Sequence, residues 1–411
     1  MNAKEILKAV VQEIKPESKV VGEAEEFLKT LNNALKKSRI KAKATFGGSY
    51  AKDTWLKGDY DIDIFVKFDL KYKTEDLSSM LEKALKPFKP EMLHGSRDYF
   101  WVRNKMKFEI IPVLDIKKPE HAQNVTDFSP WHVKWVNDKG KKYKDDIRLV
   151  KRFMKVQGCY GAESYIKGFS GHVVDILVIY HKGFMPLLKA AAKWKPKVIV
   201  DYYGKIGKKA EMILNKSKIQ GPIIIVDPVQ PNRNAAAAVN QKMFDAFADA
   251  AGKFLKKPSE KFFEYKEIDW EKLSRKGKLI IIDIDVPEGK EDPVGAKLVK
   301  AYEYMKKKLD DFKPSPEMII KWDKQRKATF GYLLKQEKLP EEFEWPGPPA
   351  EMKEAAEIFS KKHKKTFVKK GRVYAKVKYE YRNPEELLEK IIFKDEYLKD
   401  KVKKCRLRKK P

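Results

Sequence analysis

Two aspartates one residue apart, Asp61 and Asp63, lie in a run that otherwise alternates with apolar residues. Side chains two positions apart in a β-strand share a face, so the two carboxylates are predicted to point the same way. Two adjacent carboxylates raise each other's pKa unless a cation lies between them. The pattern therefore predicts a strand with a buried apolar face and a cation-binding opposite face. The alternating apolar positions are Tyr60, Ile62, Ile64, Val66 and Phe68.

A turn of small residues, Gly47-Gly48-Ser49, precedes this strand by about a dozen positions. Such a turn offers backbone N–H groups and a hydroxyl to phosphate oxygens. Carboxylate oxygens suit hard ions such as Mg²⁺, which usually keeps waters and substrate phosphates in its shell. The turn and the strand together predict a site that holds a metal-bound triphosphate and exposes its α-phosphate to attack.

A third acidic candidate, Glu109, interrupts the apolar strand-like run at 107–113. A buried acid is costly without a partner. If this strand pairs beside the strand of Asp61 and Asp63, three carboxylates converge, which is enough to hold two metal ions. The alternative is that Glu109 faces solvent or pairs with Lys107 or Lys105.

The chain contains a second pair of the same spacing, Asp283 and Asp285, at the end of the run 278–286. No Gly-Ser turn precedes it. This pair is interpreted as the exposed edge of a buried strand, and it provides an internal comparison for the first pair.

The composition favours a polyanionic partner. The 411 residues contain 89 Lys and Arg against 59 Asp and Glu, a net charge of +30, which is typical of proteins that bind nucleic acid. No apolar run approaches the length of a membrane span, and no secretory N-terminus is recognisable, so no membrane association is expected. Cys159 and Cys405 form no zinc pattern, which favours a reduced, cytoplasmic setting.

Periodicity along the chain predicts an α+β fold of several domains. Residues 1–140 alternate helices with strands and form a small mixed sheet that carries all three acids. Residues 141–256 are helix-rich and include an Ala-rich helix after Asn234. Residues 257–411 mix strands with helices and become strongly basic.

The last block contains a basic strand, 372–382. From Glu351 onward there are 21 Lys and Arg against 10 Asp and Glu. A basic strand face with an aromatic residue can follow a phosphate backbone and stack on a base, although it could also be an ordinary solvated face. Alternation places these residues on one face: Arg372, Tyr374, Lys376, Lys378 and Arg382.

Short motifs are spread along the chain: GGSYAKDTWLKG, DIDIFV, FEIIP, SPWHVKW, RLVK, GCYGAE, GFSG, DPV with RN, GPP and GRVYA. These motifs resemble those of archaeal-type (class I) CCA-adding enzymes, which are tRNA nucleotidyltransferases. The resemblance covers essentially the whole chain, and the later motifs are more specific than the Gly-Ser and D-x-D core.

The resemblance implies roles for individual residues. Asp61, Asp63 and Glu109 would be the catalytic, metal-binding carboxylates, with Glu109 nearest the attacking 3′-hydroxyl. Arg233 would contribute to recognition of the nucleobase, since a guanidinium offers a planar fork of donors. The other positions that match nucleotide-binding residues are Gly48, Ser49, Lys52, His132, Lys151 and Tyr160.

Three positions depart from the pattern expected of the family. Asp61 stands where glutamate is expected, Glu109 where aspartate is expected, and Lys52 where arginine is expected. The carboxylate chemistry is kept, so activity is expected with a changed reach toward the metal. Lysine at position 52 forfeits the bidentate geometry of arginine toward phosphate.

The resemblance implies an enzyme that adds C, C and A to the 3′ end of tRNA from CTP and ATP, with two Mg²⁺ ions as cofactors. The three regions would then be a nucleotidyltransferase palm domain (1–140), a nucleotide-recognition domain (141–256) and a tRNA-binding body and tail (257–411). A homodimer is expected by analogy. Two alternatives stay open: a poly(A) polymerase or oligoadenylate synthetase-like enzyme, or a non-catalytic RNA-binding protein that retains the fold.

Overall fold

The computed structural model describes residues 2–59, 61–103 and 106–408. These residues form two compact units, one ending at Lys266 and the other beginning at Glu267. The fold is α+β and multi-domain, as predicted. The predicted divisions at residues 140 and 256 remain predictions. Tyr60 and Lys105 lie outside the described residues.

A helix that crosses a bilayer must be both long and apolar, and none of the described helices meets both conditions.

The first unit begins with a five-stranded sheet flanked by helices. The strand order is β1-β2-β5-β4-β3, with β2 and β5 parallel and the other neighbouring pairs antiparallel. The elements up to β5, in chain order, are α1 (Ala3–Ile14), which packs on the helical region that follows, α2 (Ser18–Lys37), β1 (Ala42–Phe46), α3 (Gly48–Ala51), β2 (Asp61–Phe68), α4 (Leu77–Leu85), β3 (Glu91–Leu93), β4 (Tyr99–Arg103) and β5 (Lys107–Leu114).

Strand β2 has the two faces that its sequence predicts. Ile62, Ile64, Val66 and Phe68 are completely buried, in the core that α2 and α4 share with the sheet. Asp61 is exposed and Asp63 is partly buried on the other face. The alternation therefore anchors the strand through its apolar face and leaves the carboxylates facing outward.

The rest of the first unit is mostly helical. The Ala-rich helix predicted after Asn234 is present but begins only at Gln241, because residues 235–238 form turns. The Asn240 side chain caps the helix by accepting a hydrogen bond from the Met243 N–H. The elements are α5 (Ser129–Lys139), α6 (Lys144–Val156), α7 (Gly171–His181), α8 (Phe184–Ala191), β6 (Val198–Asp201), α9 (Ala210–Ile213), β7 (Ile223–Val226) and α10 (Gln241–Lys256).

The second unit contains two antiparallel sheets, ordered β14-β8-β10-β9 and β11-β13-β12. Its largest apolar core includes residues of α12 and of the four-stranded sheet. The elements are α11 (Trp270–Ser274), β8 (Lys278–Asp285), α12 (Glu291–Lys308), β9 (Ile319–Trp322), β10 (Lys327–Leu334), β11 (Glu342–Pro349), α13 (Lys353–Lys362), β12 (Thr366–Lys369), β13 (Arg372–Lys378), α14 (Pro384–Lys390), α15 (Glu396–Lys399) and β14 (Lys404–Leu407).

The comparison pair, Asp283 and Asp285, lies on β8, an inner strand of the four-stranded sheet. Both residues are partly exposed and face cations. Arg408 donates hydrogen bonds to Asp283, and the Nζ atom of Lys327 lies 2.6 Å from Oδ1 of Asp285. The same D-x-D spacing is therefore neutralised here by basic side chains of neighbouring segments.

The predicted basic strand is β13, the central strand of its sheet. Arg372, Lys376 and Lys378 are exposed, while Val373 and Ala375 are buried, so the alternation is confirmed over the strand. Arg382 was wrongly included, because β13 ends at Lys378 and the Arg382 side chain donates to the Leu339 carbonyl.

Phe153 lies at the centre of an aromatic cluster in the first unit and is completely buried. Its ring stacks on Phe262 at 5.8 Å between centroids and meets the edges of Phe184, Phe247 and Phe254. This cluster ties α6 to α8, α10 and the segment that follows α10.

Replacing Phe153 with alanine is expected to lower the free energy of unfolding by about 3–5 kcal/mol, because the surrounding rings close the resulting cavity only partly. Chemical denaturation measures the change. Met212, which is 86% exposed, provides the control, and its replacement by alanine should cost less than about 0.5 kcal/mol. Equal losses for the two variants would contradict the central role of the cluster.

Candidate active site

The parallel pairing of β2 with β5 brings the predicted acids together. Asp63 lies opposite Glu109 and Asp61 lies opposite Lys107. Paired residues of neighbouring parallel strands project from the same face, so Asp61, Asp63 and Glu109 share one face of the sheet. This is the arrangement on which the sequence argument depended.

The glycine turn lies directly against Asp63. The Gly47 N–H donates to the Asp63 carbonyl at 2.7 Å. Gly48 has a φ of +51°, and a Cβ at this position would come within 1.5 Å of Oδ2 of Asp63. Both the positive φ and the close approach require glycine. The predicted phosphate-binding turn and the predicted metal ligands therefore form one structure.

Crowding changes the protonation of Asp63. Burial and the nearby Glu109 and Asp61 carboxylates raise its pKa to about 7, although Lys52 and Lys107 oppose the shift. A carboxyl group with this pKa is only about half ionised at neutral pH. Burial and the neighbouring carboxylates therefore both disfavour a fully charged face.

Two of the acids have partners within the sheet. Lys107 Nζ lies 3.1 Å from Oδ2 of Asp61, and Trp101 Nε1 donates to Oε2 of Glu109 at 3.0 Å. The Lys107 partner suggested for Glu109 thus pairs with Asp61. The side chain of Asp61 is 70% exposed, so its carboxylate is accessible to a ligand from solution.

The donor set fits a hard divalent cation. The ligands are all carboxylate oxygens, and burial together with the neighbouring carboxylates disfavours the charged form of Asp63. The three acids do not form a group whose ligand atoms all lie within 4.8 Å of one another. A shared cation would therefore draw the side chains closer together and compete with Lys107 for Asp61.

Lys52 is predicted to contact a triphosphate, and the structure places it in a buried ion pair. Its Nζ atom lies 2.7 Å from Oδ2 of Asp175 on α7, and the two side chains are 10% and 1% exposed. Burial would raise the pKa of Asp175, but the charges of Lys52 and Lys151 outweigh it and hold the pKa below its usual range. The Lys52 charge also opposes the rise in the pKa of Asp63, so the ion pair lies next to the acidic face.

Lys151 and Tyr160 lie beside this pair. Lys151 is buried and donates to the backbone carbonyl and hydroxyl of Thr54 at 3.1 and 3.0 Å. Burial lowers the pKa of Lys151 to about 8. Burial and the neighbouring Asp175 raise the pKa of Tyr160 far above its usual value, so it remains a neutral hydroxyl.

His132 and Arg233 meet at a residue that was not predicted as part of the site, Asp227. Arg233 Nη1 donates to Oδ2 of Asp227 at 3.0 Å, and His132 Nε2 lies 3.1 Å from the same oxygen. A second imidazole, that of His172, lies 3.5 Å from it. Asp227 is completely buried.

The structure therefore collects the predicted residues into adjoining groups within the first unit. Asp63 contacts the glycine turn, and Lys52 pairs with Asp175 in the helical region that carries Lys151 and Tyr160. His132 and Arg233 form the second group, and the Lys52 charge also acts on His172 of that group. Ser49 lies on α3 next to the turn.

Three residues of these groups were missed: Asp175, Asp227 and His172. Asp175 carried a readable signal, because it interrupts the apolar run 173–180 as Glu109 interrupts its own strand. Asp227 follows the apolar strand β7. No comparable signal marks His172, whose position depends on the packing of α7 against α5.

Comparison with known proteins identifies the class. Residues 28–198 match the nucleotidyltransferase domain, residues 145–264 the second domain of tRNA nucleotidyltransferases, and residues 275–406 the C-terminal domain of the CCA-adding enzyme. The chain is thus a nucleotidyltransferase of the class that acts on tRNA.

Individual relatives narrow this class. The CCA-adding enzyme of Nanoarchaeum equitans is 37% identical over 80% of this chain and 82% of its own length. The CCA-adding enzymes of Sulfurisphaera tokodaii and Sulfolobus acidocaldarius are each 30% identical, over 86% and 94% of this chain and 84% and 91% of their own lengths. The chain belongs to the family of archaeal CCA-adding enzymes.

The fold is also found among solved structures. The Cid1 poly(U) polymerase superposes with a TM-score of 0.53 at 16% identity, covering 64% of this chain and all of the other. At this identity the similarity concerns the fold alone.

The raised pKa of Asp63 makes the stability of the metal-free protein depend on pH. The folded state keeps this proton up to about pH 7, whereas an unfolded chain releases it at about pH 4. The folded state binds more protons within this window, so the free energy of unfolding should fall as the pH rises through it.

Thermal unfolding in the presence of EDTA measures this dependence. The fall in Tm between about pH 5 and about pH 8 should be larger for the wild type than for Asp63→Asn. Addition of Mg²⁺ at the higher pH should raise the Tm of the wild type more, because a bound cation replaces the proton. Identical pH profiles for both proteins would show that the pKa of Asp63 is not raised in the folded state.

The buried ion pair yields a second prediction. Asp175→Asn leaves the Lys52 charge buried without its partner, which should lower the free energy of unfolding by about 3–5 kcal/mol. Chemical denaturation provides the measurement. The control is Asp249→Asn, which breaks an exposed pair with Lys253 and should cost less than about 1 kcal/mol. A loss as small as that of the control would contradict the buried pairing.

Proposed function

We propose that this chain adds C, C and A in turn to the 3′ end of tRNA, using CTP and ATP and no nucleic-acid template. The reaction is in-line attack of the terminal ribose hydroxyl on the α-phosphate, with release of pyrophosphate. The observation that carries the proposal is the cluster of three carboxylates against a glycine turn, in a chain of the CCA-adding family.

Asp61, Asp63 and Glu109 are the residues that would hold two Mg²⁺ ions. When bound, these ions would lower the pKa of the attacking hydroxyl and neutralise the charge that develops on pyrophosphate. The shared face of β2 and β5 supplies ligands for both ions, and the raised pKa of Asp63 supports their affinity for divalent charge. Asp61 is one methylene shorter and Glu109 one methylene longer than the family pattern, so the carboxylate chemistry is kept while the reach of each ligand toward the metal changes.

The cations next to the acidic face would bind the triphosphate. Gly48 lies against Asp63, and with Ser49, the next residue on α3, it would supply backbone N–H groups and a hydroxyl to the phosphates. Lys52 is held by Asp175 and would exchange this partner, wholly or in part, for a phosphate oxygen. Lys151, buried with a pKa of about 8, would be charged at neutral pH and add a second positive charge.

Base selection would fall to the second group of residues. The Arg233 side chain is 48% exposed although it is hydrogen-bonded to Asp227, so part of its donor fork can reach a nucleobase or a phosphate. His132 lies beside it, and Tyr160 would supply a neutral hydroxyl near Asp175. No template strand is present in this reaction, so these side chains and the RNA end together must shape the pocket.

The remaining parts of the proposal rest on charge and on the family. The C-terminal region, with 21 Lys and Arg against 10 Asp and Glu from Glu351 onward, would bind tRNA mainly through phosphates and shape. Domains at 1–140, 141–256 and 257–411, a homodimer and a cytoplasmic location belong to the same proposal.

The test is one extension assay. Purified protein is incubated with tRNA that ends at the discriminator base, with each nucleoside triphosphate singly and in combination, and the 3′ ends are sequenced. CTP alone should give two additions, and ATP should then give one. An unlimited A tail would assign the chain to poly(A) synthesis instead, and no extension would leave an RNA-binding protein.

Asp63→Asn should lower the extension rate by about 1,000-fold or more, because a carboxylate ligand contributes several kcal/mol of charge stabilisation. Binding of tRNA, measured by filter retention, should stay nearly unchanged. The matched control is Asp283→Asn, which alters the other D-x-D pair on β8 and should extend tRNA at close to the wild-type rate. Extension that persists in Asp63→Asn would refute the assignment of the metal ligands.

A further inference from the structure

The buried Asp227 carboxylate has polar contacts through both of its oxygens, and it lies next to the residues proposed to bind the nucleotide. Its Oδ2 atom accepts a hydrogen bond from Arg233 at 3.0 Å and lies 3.1 and 3.5 Å from the imidazole nitrogens of His132 and His172. Its Oδ1 atom accepts from the backbone N–H groups of Val229 and Gln230 at 2.9 and 3.3 Å. Both carboxylate oxygens of Asp227 thus accept hydrogen bonds.

Hydrogen bonds within the loop after β7 hold Asp227 and Arg233 close together. The Asp227 N–H donates to the Arg233 carbonyl at 3.1 Å, and the Arg233 N–H donates to the Gln230 carbonyl at 2.9 Å. Asn234 then closes the loop, because its side chain accepts from Ile225 and Ala236 and donates to the Lys218 carbonyl. The backbone of Arg233 is therefore fixed, and Asp227 fixes its side chain as well.

The two histidines bring a second element pair to the same point. His132 lies on α5 and His172 at the start of α7, and their rings lie 4.1 Å apart between centroids. Burial lowers the pKa of His172 to about 4, although Asp227 opposes the shift, so this imidazole is neutral at physiological pH. Burial would raise the pKa of Asp227, but the adjacent imidazoles outweigh it and keep the carboxylate ionised.

A metal ion is the competing interpretation of this cluster. The ligand atoms of His132, His172 and Asp227 all lie within 4.8 Å of one another, and two imidazoles with one carboxylate suit Zn²⁺. The Arg233 guanidinium, however, already occupies the carboxylate oxygen that faces both rings. A divalent ion there would meet a fixed positive charge about one hydrogen-bond length away, which disfavours metal binding.

We propose that Asp227 is a positioning residue for nucleotide selection, which acts by holding the Arg233 fork and the two imidazoles in one arrangement. This inference rests on the proposed function. Arg233 has a long side chain with several rotatable bonds, and its discrimination between bases depends on where its donors point. A buried carboxylate that takes one donor leaves the rest of the fork in a defined direction.

The expected consequence is a loss of selectivity that does not depend on the acidic face. Asp227→Asn keeps the size of the side chain but removes its charge and turns one oxygen into a donor that faces Arg233. The kcat/KM for ATP on tRNA ending in CC should fall by about 10- to 100-fold, the range for loss of a hydrogen bond to a charged group. The preference for ATP over CTP at this step should fall with it.

The experiment is a double-mutant cycle. Wild type, Asp227→Asn, Arg233→Ala and the double variant are compared for kcat and KM with ATP and with CTP on tRNA ending in CC. If Asp227 acts through Arg233, the double variant should lose no more selectivity than Arg233→Ala alone. Multiplied losses, or an unchanged ratio of ATP to CTP in Asp227→Asn, would overturn the proposal.

A matched control separates this role from support of the loop. Asp201 ends β6, the parallel neighbour of β7, and its carboxylate accepts from backbone N–H groups that include those of Ile206 and Gly207. Asp201→Asn should change the ratio of ATP to CTP by less than about twofold, whatever its effect on stability. An equal change of that ratio in Asp201→Asn and Asp227→Asn would mean that general loosening of this sheet edge is the cause.

Two further measurements keep the test decisive. If Asp227→Asn does not fold, Asp227→Glu is used instead, because it keeps the buried charge but displaces the Arg233 fork, and it should still lower the ratio of ATP to CTP. After stripping with a chelator and incubation with Zn²⁺, the wild type and Asp227→Asn should retain equal amounts of metal, because any ion held by the acidic face does not depend on Asp227. One Zn²⁺ per chain, lost in Asp227→Asn, would overturn positioning in favour of a metal site.

Failure of the wild type to add C, C and A would refute the proposed function, whereas normal addition with unchanged selectivity in Asp227→Asn would refute only this inference.

Discussion

The repulsion among three carboxylates on one face of a sheet is the constraint on which the site depends. The parallel pairing of β2 with β5 places Asp63 beside Glu109, and the apolar faces of both strands prevent either from turning over. The glycine turn then approaches so closely that no side chain fits at Gly48. Hydrophobic burial on one side of the sheet thus maintains an unfavourable concentration of charge on the other, which a divalent cation can relieve.

The cations of the site, by contrast, are paired with buried partners. Lys52 is paired with Asp175, and Lys151 with the hydroxyl and carbonyl of Thr54. Keeping positive charge buried without nucleotide is costly, and these partners lower that cost. A triphosphate would offer both lysines stronger acceptors, so the site in this state holds its positive charge ready next to its negative charge.

The two D-x-D pairs show why local spacing alone does not define a site. Asp283 and Asp285 have the same spacing on a strand with an apolar face, yet basic side chains from neighbouring segments neutralise them. Lys107 pairs with Asp61, but the glycine turn lies against Asp63 and the additional acid Glu109 increases the negative charge there. The difference lies in what the neighbouring segments bring to the strand, and the Gly-Ser motif is the part of it visible in the sequence.

The sequence by itself determined the strands, the acidic face, the glycine turn and the family, because alternation and motif spacing are properties of short segments. Its errors concerned where elements begin and end, because local side-chain hydrogen bonds set these limits. The Asn234 side chain holds residue 236 in a turn and Asn240 caps the helix, so the helix begins only at Gln241, and Arg382 lies beyond the end of its strand. Only the tertiary structure decided that β2 and β5 are neighbours, that Lys52 pairs with a residue 123 positions away, and that Asp227 joins Arg233 to two histidines. These contacts depend on packing between distant segments, and the energy of a buried charge depends on whichever partner that packing delivers.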